Sequence, residues 1–364
     1  MKAIHWILFM SILFLAPIAD AGEAEPLKQP DERWVAEVLQ PWLEKYPGKW
    51  EWEEGEGGGM LCALPETSND DLAALTELPG LTILALTGEV DDAGLAHVGR
   101  LSDLESLSVY GQEITDAGMA HLGNLSGLRT LTINRADKIS DAGWAHLGNL
   151  SELRSLTINA PNDIAAARYG FLAKLPNLEF FDSLTFDDDD VDALLPVTSL
   201  RHVRFGISCD LTAAGLAKLA ALPNLRKLSL AFPGITEEGL SALEAFPALE
   251  ELSLQDAYEH GRLTDRQLAA VGRLHKLPML RLRNALNITD EGIASLAGLS
   301  GLRELRIENA PNLTDACLAS LGKLANLKGL VIGGCEKISE AGIEELRKAM
   351  PRCDIAYRSY RSLK

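Results

Sequence analysis

Three histidines, His97, His121 and His146, recur 24 and 25 residues apart and are the first residues whose type and spacing suggest metal chemistry. Imidazoles sharing one zinc ion each stand about 2.0–2.1 Å from it. Equal spacing, however, places each histidine at the same point of successive copies of one unit, and packed helices lie about 8–10 Å apart. Three rings cannot converge across that distance, so they form a ladder and no metal site is assigned. The acidic run Asp187, Asp188, Asp189 and Asp190, with Asp192, raises calcium next. A calcium loop needs a glycine turn and a distal Glu, and Ser199 stands where that Glu belongs. The run is read as helix capping and solvated charge. Asp182, His202 and Arg204 are the one mixed group suited to acid–base work. They fall on neighbouring strands with no pocket evident, whereas general acid–base catalysis needs hydrogen-bond reach, so no catalytic residue and no cofactor are assigned. The glycine-rich residues 55–59 lack the Lys-Ser/Thr and helix start of a phosphate loop and read as a hairpin turn. Neither G-x-S-x-G nor H-E-x-x-H occurs.

Composition narrows the partners. The 364 residues carry a formal net charge of -18, which repels phosphate backbones and anionic lipid heads, so nucleic acid is excluded as a partner. Five cysteines, Cys62, Cys209, Cys317, Cys335 and Cys353, are too scattered for a zinc motif. Cys335 stands three residues after Ile332, where equivalent stretches carry Ala136, Ala257, Ala285 and Ala310. It therefore fills a slot for a small buried side chain; a Cys335–Cys353 bridge closing the last turn is the alternative.

The elements that carry these residues repeat. A phrase of about 25 residues pairs L-x-x-L-x-L with I-[TS]-D-x-G-hydrophobic, as in Leu128, Leu131, Ile133 followed by Ile139-Ser140-Asp141-Ala142-Gly143-Trp144. The first Leu of each copy is Leu81, Leu104, Leu128, Leu153, Leu178, Leu200, Leu225, Leu249, Leu277, Leu302 and Leu327, eleven copies at steps of 22 to 28 residues. Alternation on a strand turns the fourth and sixth positions inward and those between them outward. Thr115-Asp116, Ser140-Asp141, Thr236-Glu237, Thr264-Asp265, Thr289-Asp290 and Thr314-Asp315 mark helix starts, where a hydroxyl or carboxylate accepts from free N–H groups and an acid suits the positive helix end. One unit cannot bury its own apolar face, so the copies must stack.

The order Leu-x-x-Leu-x-Leu, small residue, Ile-Thr-Asp-x-Gly-Leu resembles the cysteine-containing class of leucine-rich repeats, known from F-box substrate receptors and from exported bacterial proteins. The resemblance covers residues 81–355, with a partial copy at 61–78. It implies an α/β fold, a right-handed leucine-rich-repeat solenoid (horseshoe) with a parallel concave β-sheet and convex helices. Such motifs specify the fold and leave the ligand open, because the outward positions vary freely. Only Cys335 occupies the Cys position of the class. The segment before the repeats is too short for an F-box and follows an export signal, so ubiquitin-ligase function is not carried over.

That signal occupies residues 1–21: Met1 and Lys2 open it, residues 3–18 are almost wholly apolar, and Ala19-Asp20-Ala21 offers a small-x-small cleavage pattern. A mature chain beginning at Gly22 is expected, secreted or periplasmic, with no stable membrane insertion; an uncleaved anchor is the competing reading. The sequons at Asn124, Asn149, Asn287 and Asn312 arise from the repeated consensus. Residues 22–59 are expected to cap the repeats, since Trp34, Val35, Val38, Leu39, Trp42 and Leu43 share one helical face; a docking helix is the alternative. Residues 60–357 form the repeat domain and 358–364 a basic tail.

Function is expected on the outward strand positions. The early copies present a neutral stripe including Tyr110, Thr132, Asn134, Thr157 and Asn159, followed by Phe180, Asp182, His202 and Arg204, and the later ones a mixed but locally cationic cluster of Arg281, Arg283 and Arg306 with Glu304 and Glu308. An extended peptide, a protein or a glycan fits the stripe, with an acidic group held by forked arginine hydrogen bonds; the same residues also suit a merely soluble sheet face. The favoured reading is a non-enzymatic recognition or scaffold module outside the cytoplasm. A self-associating structural envelope protein is the alternative, and an enzyme the least favoured.

Overall fold

The computed structural model describes residues 32–358, apart from 49, 56–57, 64–66, 89, 160–165, 207, 233–234 and 257–262. The chain divides into two compact units, Met1–Leu184 with Pro196–Leu200, and Thr185–Leu195 with Arg201–Lys364. The proposed signal segment lies outside the described residues.

In the first unit the strands are β1 (Trp50–Gly55), β2 (Gly58–Ala63), β3 (Ile83–Leu86), β4 (Ser106–Tyr110), β5 (Thr130–Asn134), β6 (Ser155–Asn159) and β7 (Phe180–Ser183). β1 and β2 form an antiparallel hairpin, and β2 through β7 pair in parallel, each with the next in sequence. The leucine motif explains this order. Leu128, Leu131 and Ile133, with Leu153, Leu156 and Ile158 one copy on, are at most 1% exposed, and each such burial contributes about 1.5–3 kcal/mol. Between strands run short helices, among them Asp92–Val98, Asp116–Leu122 and Asp141–Ala145. An N-terminal α–π–α helix, from Glu32 to Lys45, buries Leu39 and Trp42. It docks on the first copy through Trp34 Nε1 donating to Pro79 O (2.9 Å) and Trp42 Nε1 to Ala74 O (3.2 Å). Trp50 of the hairpin packs on Trp42 at a centroid separation of 5.3 Å.

The second unit repeats the scheme with β8 (His202–Phe205), β9 (Lys227–Phe232), β10 (Glu251–Asp256), β11 (Met279–Arg283), β12 (Glu304–Glu308), β13 (Gly329–Gly333) and β14 (Asp354–Arg358), all parallel and paired in sequence order. Strand exits turn through the left-handed region at Arg135 in the first unit (φ 57°) and at Asn284 (φ 52°), Asn309 (φ 56°) and Gly334 (φ 66°) in the second. Asn and Gly are the residues that enter this region most readily. Each turn drops a small residue into the core: Ala136, Ala285, Ala310 and Cys335 are essentially inaccessible, as the slot reading of Cys335 requires. All five cysteines are free thiols.

A carboxylate ladder ties one copy to the next. In several copies the hydroxyl at the helix start caps its own helix, as Thr115 Oγ1 does by accepting from Ala117 N at 3.3 Å. The acid beside it reaches forward instead. Asp92 Oδ1 accepts from Thr115 N (2.8 Å) and Gly118 N (2.9 Å), while Oδ2 accepts from Thr115 Oγ1 (2.6 Å). Asp265 binds Thr289, Asp290 binds Thr314 and Asp315 binds Ser339 through the same backbone and hydroxyl pair, at 2.6–2.9 Å. The motif glycine follows from this bond. A Cβ on Gly118 would stand 2.4 Å from Asp92 Oδ1, on Gly143 2.2 Å from Asp116 Oδ1 and on Gly292 2.2 Å from Asp265 Oδ1. Asp188, in the acidic run, is one more rung: it binds Thr212 N at 2.9 Å and Thr212 Oγ1, so this residue is joined to the next copy rather than to a cation.

Candidate functional site

Strand register arranges the outward residues in rows, and adjacent members of a row stand about 4.8 Å apart. In the first unit one row runs Ser108, Thr132, Thr157, Asp182, a second Ser106, Thr130, Ser155, Phe180, and a third Tyr110, Asn134, Asn159. Side chains at this spacing shield their neighbours. Thr132, Asn134, Thr157, Phe180 and Asp182 are at most 4% exposed, and only Tyr110 and Asn159 of the six candidates in these rows besides Asp182 reach solvent in part. Asn159 Nδ2 donates to Asn134 Oδ1 at 2.9 Å, an amide ladder at the strand ends. The neutral stripe is therefore largely committed to the sheet's own packing.

In the second unit the rows are His202, Lys227, Glu251, Met279, Glu304; then Arg204, Ser229, Ser253, Arg281, Arg306, Val331, Ala356; then Gln255, Arg283, Glu308. His202 is 7% exposed, with Nε2 3.3 Å from Ser229 Oγ. Asp182 belongs to the first unit, His202 and Arg204 to the second.

The three later arginines share this face but differ in what they can still bind. Arg281 Nε lies 2.8 Å from Glu251 Oε1, a carboxylate that also faces Lys227 Nζ at 3.7 Å. Arg283 Nε lies 3.3 Å from Glu308 Oε2. Arg306, half-exposed and in direct register with Arg281, has no acidic partner among the described residues. The cluster thus reduces to one guanidinium without an acidic partner among the described residues and two paired ones. Glu251 was not among the residues picked out from the sequence; aligning the column Lys227, Glu251, Met279 across copies would have placed a carboxylate next to the cationic row.

The remaining chemistry is muted. His97, His121 and His146 are half-buried, and among the described residues no three His, Cys, Asp or Glu side chains are grouped to hold a metal. Burial, with Asp290 adding, pushes the Cys317 thiol up to about 12, and burial also raises Cys335 and Cys353. A groove of about 300 Å³ is lined by Phe246, Leu249, Leu277, Arg273, His275 and Lys276 among others. No helix among the described residues is long and apolar enough to cross a membrane.

Comparison with known proteins follows the geometry. A family model described as a leucine-rich repeat region matches residues 76–269, and the chain belongs to that family. No curated protein matches it. Among solved structures the chain is similar to an internalin (inlF) from Listeria monocytogenes, with 22% identity, a TM-score of 0.48, and coverage of 82% of this chain and 85% of that one. It is also similar to a chain of the Rad7 and Elc1 complex of yeast, with 19% identity, a TM-score of 0.54, and coverage of 79% of each chain. At such identities the likeness is one of fold.

Proposed function

We propose that the chain is a non-enzymatic recognition scaffold, exported through residues 1–21, that holds a protein, peptide or glycan on the outward face of its strands. The observation that carries this reading is Arg306: a half-exposed guanidinium in the middle of a row, with no carboxylate partner among the described residues, beside an Arg281 already balanced by Glu251. A guanidinium offers five donors in a fixed fork that matches a carboxylate, so the ligand carries an acidic group. Membership of a leucine-rich repeat family, and the fold shared with a chain solved inside a complex, support a scaffold over an enzyme. The test is a capture from envelope or secretory fractions, comparing wild type with Arg306→Ala and with the Arg281, Arg283, Arg306 triple alanine variant. Loss of the same partner in both variants supports the proposal; equal recovery from all three removes the arginines from it.

A further inference from the structure

Resting on the acidic-ligand reading above, we propose that the ligand is an extended peptide segment in which a basic and an acidic residue stand two apart, the first meeting Glu304 and the second Arg306. Both residues lie on β12, and a strand turns positions two apart to one face, about 6.6–6.8 Å from each other. The charges around them are already balanced within the sheet. Glu251 faces Arg281 at 2.8 Å, and Arg283 faces Glu308 at 3.3 Å. Glu304 is exposed and Arg306 half-exposed, and among the described residues neither is joined to the other or to another charged side chain. One strand therefore presents a free carboxylate and a free guanidinium at a fixed separation.

An extended peptide lying along β12 has the same two-residue period. Its residues i and i+2 point to the sheet together, while the residue between them points to solvent. A Lys or Arg over Glu304 and an Asp or Glu over Arg306 are then matched at once. Charges on adjacent residues point to opposite faces and satisfy only one of the two. The lateral neighbours leave room for this. Met279 and Gly329 stand in register with Glu304, and Arg281 and Val331 with Arg306. Among the described residues a Cβ on Gly329 would meet only Glu304 Cγ, at 3.6 Å, so the space beside that carboxylate admits an incoming cation. Met279 and Val331 are partly exposed and offer apolar surface to the methylene stems of long charged side chains. A ligand carrying acids alone would leave Glu304 facing like charge, which favours a peptide of both signs.

Surface plasmon resonance on the immobilised full chain tests this with two end-capped peptides of one composition, Thr-Lys-Thr-Glu-Thr-Thr and Thr-Thr-Lys-Glu-Thr-Thr. Their equal net charge cancels the long-range field of an acidic protein, so only the spacing differs. The first peptide is expected to bind about fivefold tighter at physiological salt, as two exposed ion pairs allow. Glu304→Arg alone or Arg306→Glu alone sets like charges opposite and should abolish that preference. The double exchange should keep it, because the peptide can lie in the reverse direction. Glu304→Gln separates this proposal from the reading beneath it: the preference is lost, while weaker binding that depends on Arg306 remains. Equal affinity of wild type for the two peptides, no binding of either, or a preference untouched by the single reversals overturns the proposal. If Arg306→Ala weakens both peptides equally and Glu304→Gln changes neither, the acidic ligand stands and the paired charges fall.

Discussion

Asp92 and Gly118 show how one residue type dictates another a copy away. Glycine in a helix costs about 0.8–1 kcal/mol relative to alanine, and nothing about the backbone φ of Gly118 requires it. The cost is accepted because a Cβ there would meet Asp92 Oδ1 at 2.4 Å. Gly118→Ala should therefore destabilise by about 1–3 kcal/mol despite its better propensity. Asp92→Ala should cost about 2–3 kcal/mol by stranding the Thr115 and Gly118 donors. In the Asp92→Ala background the glycine change should become neutral or favourable; urea melts of the four proteins read the coupling directly. The recurrence of Asp and Gly was visible in the sequence, but a capping role was assigned to the acid because a repeat read alone hides its neighbour. Cysteine placement was more legible, since a slot that accepts Ala in other copies must be small and buried. Cys353 should react with a thiol reagent in the native protein while Cys62, Cys209, Cys317 and Cys335 wait for unfolding, their burial being the cause. The raised Cys317 thiol also has a signed consequence: its folded value lies above the ordinary 9.0, so its contribution is complete below pH 9 and is lost as pH climbs toward about 12. Cys317→Ala should flatten that alkaline fall in stability.

At the scale of elements, the ladder has a gap that identifies it. Ala213 stands where the other copies carry an acid, and the Cβ position of Gly239 finds Ala213 N at 3.6 Å with no carboxylate nearby. Ala213→Asp should supply the missing rung to Thr236 and Gly239 and raise stability by about 1 kcal/mol, seen as a higher denaturation midpoint. Where the preceding acid is Glu237, the glycine position becomes Gln267, whose Oε1 accepts from Thr264 N at 2.8 Å and whose Nε2 donates to Ile235 O at 2.6 Å. Strands and their order were legible because Leu at fixed intervals can satisfy only one face of a parallel sheet. The exposure of the outward face was not, since alternation gives direction but says nothing of how closely Thr132, Thr157 and Asp182 shield one another. For the same reason the pairing of Arg281 with Glu251 depended on lateral register, a relation between copies rather than within one.

At the scale of the whole molecule, the two units carry different outward surfaces, a closely packed neutral one on the first and a charged one on the second. Export, proposed from residues 1–21, is checked by N-terminal sequencing of the exported protein: Gly22 as first residue is expected, and Met1 retained would mean an anchor. The claim on which the account turns is that an acidic ligand meets the sheet at Arg306. The most direct measurement is the ratio of dissociation constants for one captured ligand between wild type, Arg306→Glu and Arg303→Glu, the last an exposed neighbour off the outward row. The account predicts at least a tenfold loss, about 1.4 kcal/mol, for Arg306→Glu and none for Arg303→Glu. Equal losses in both, or none in either, would contradict it.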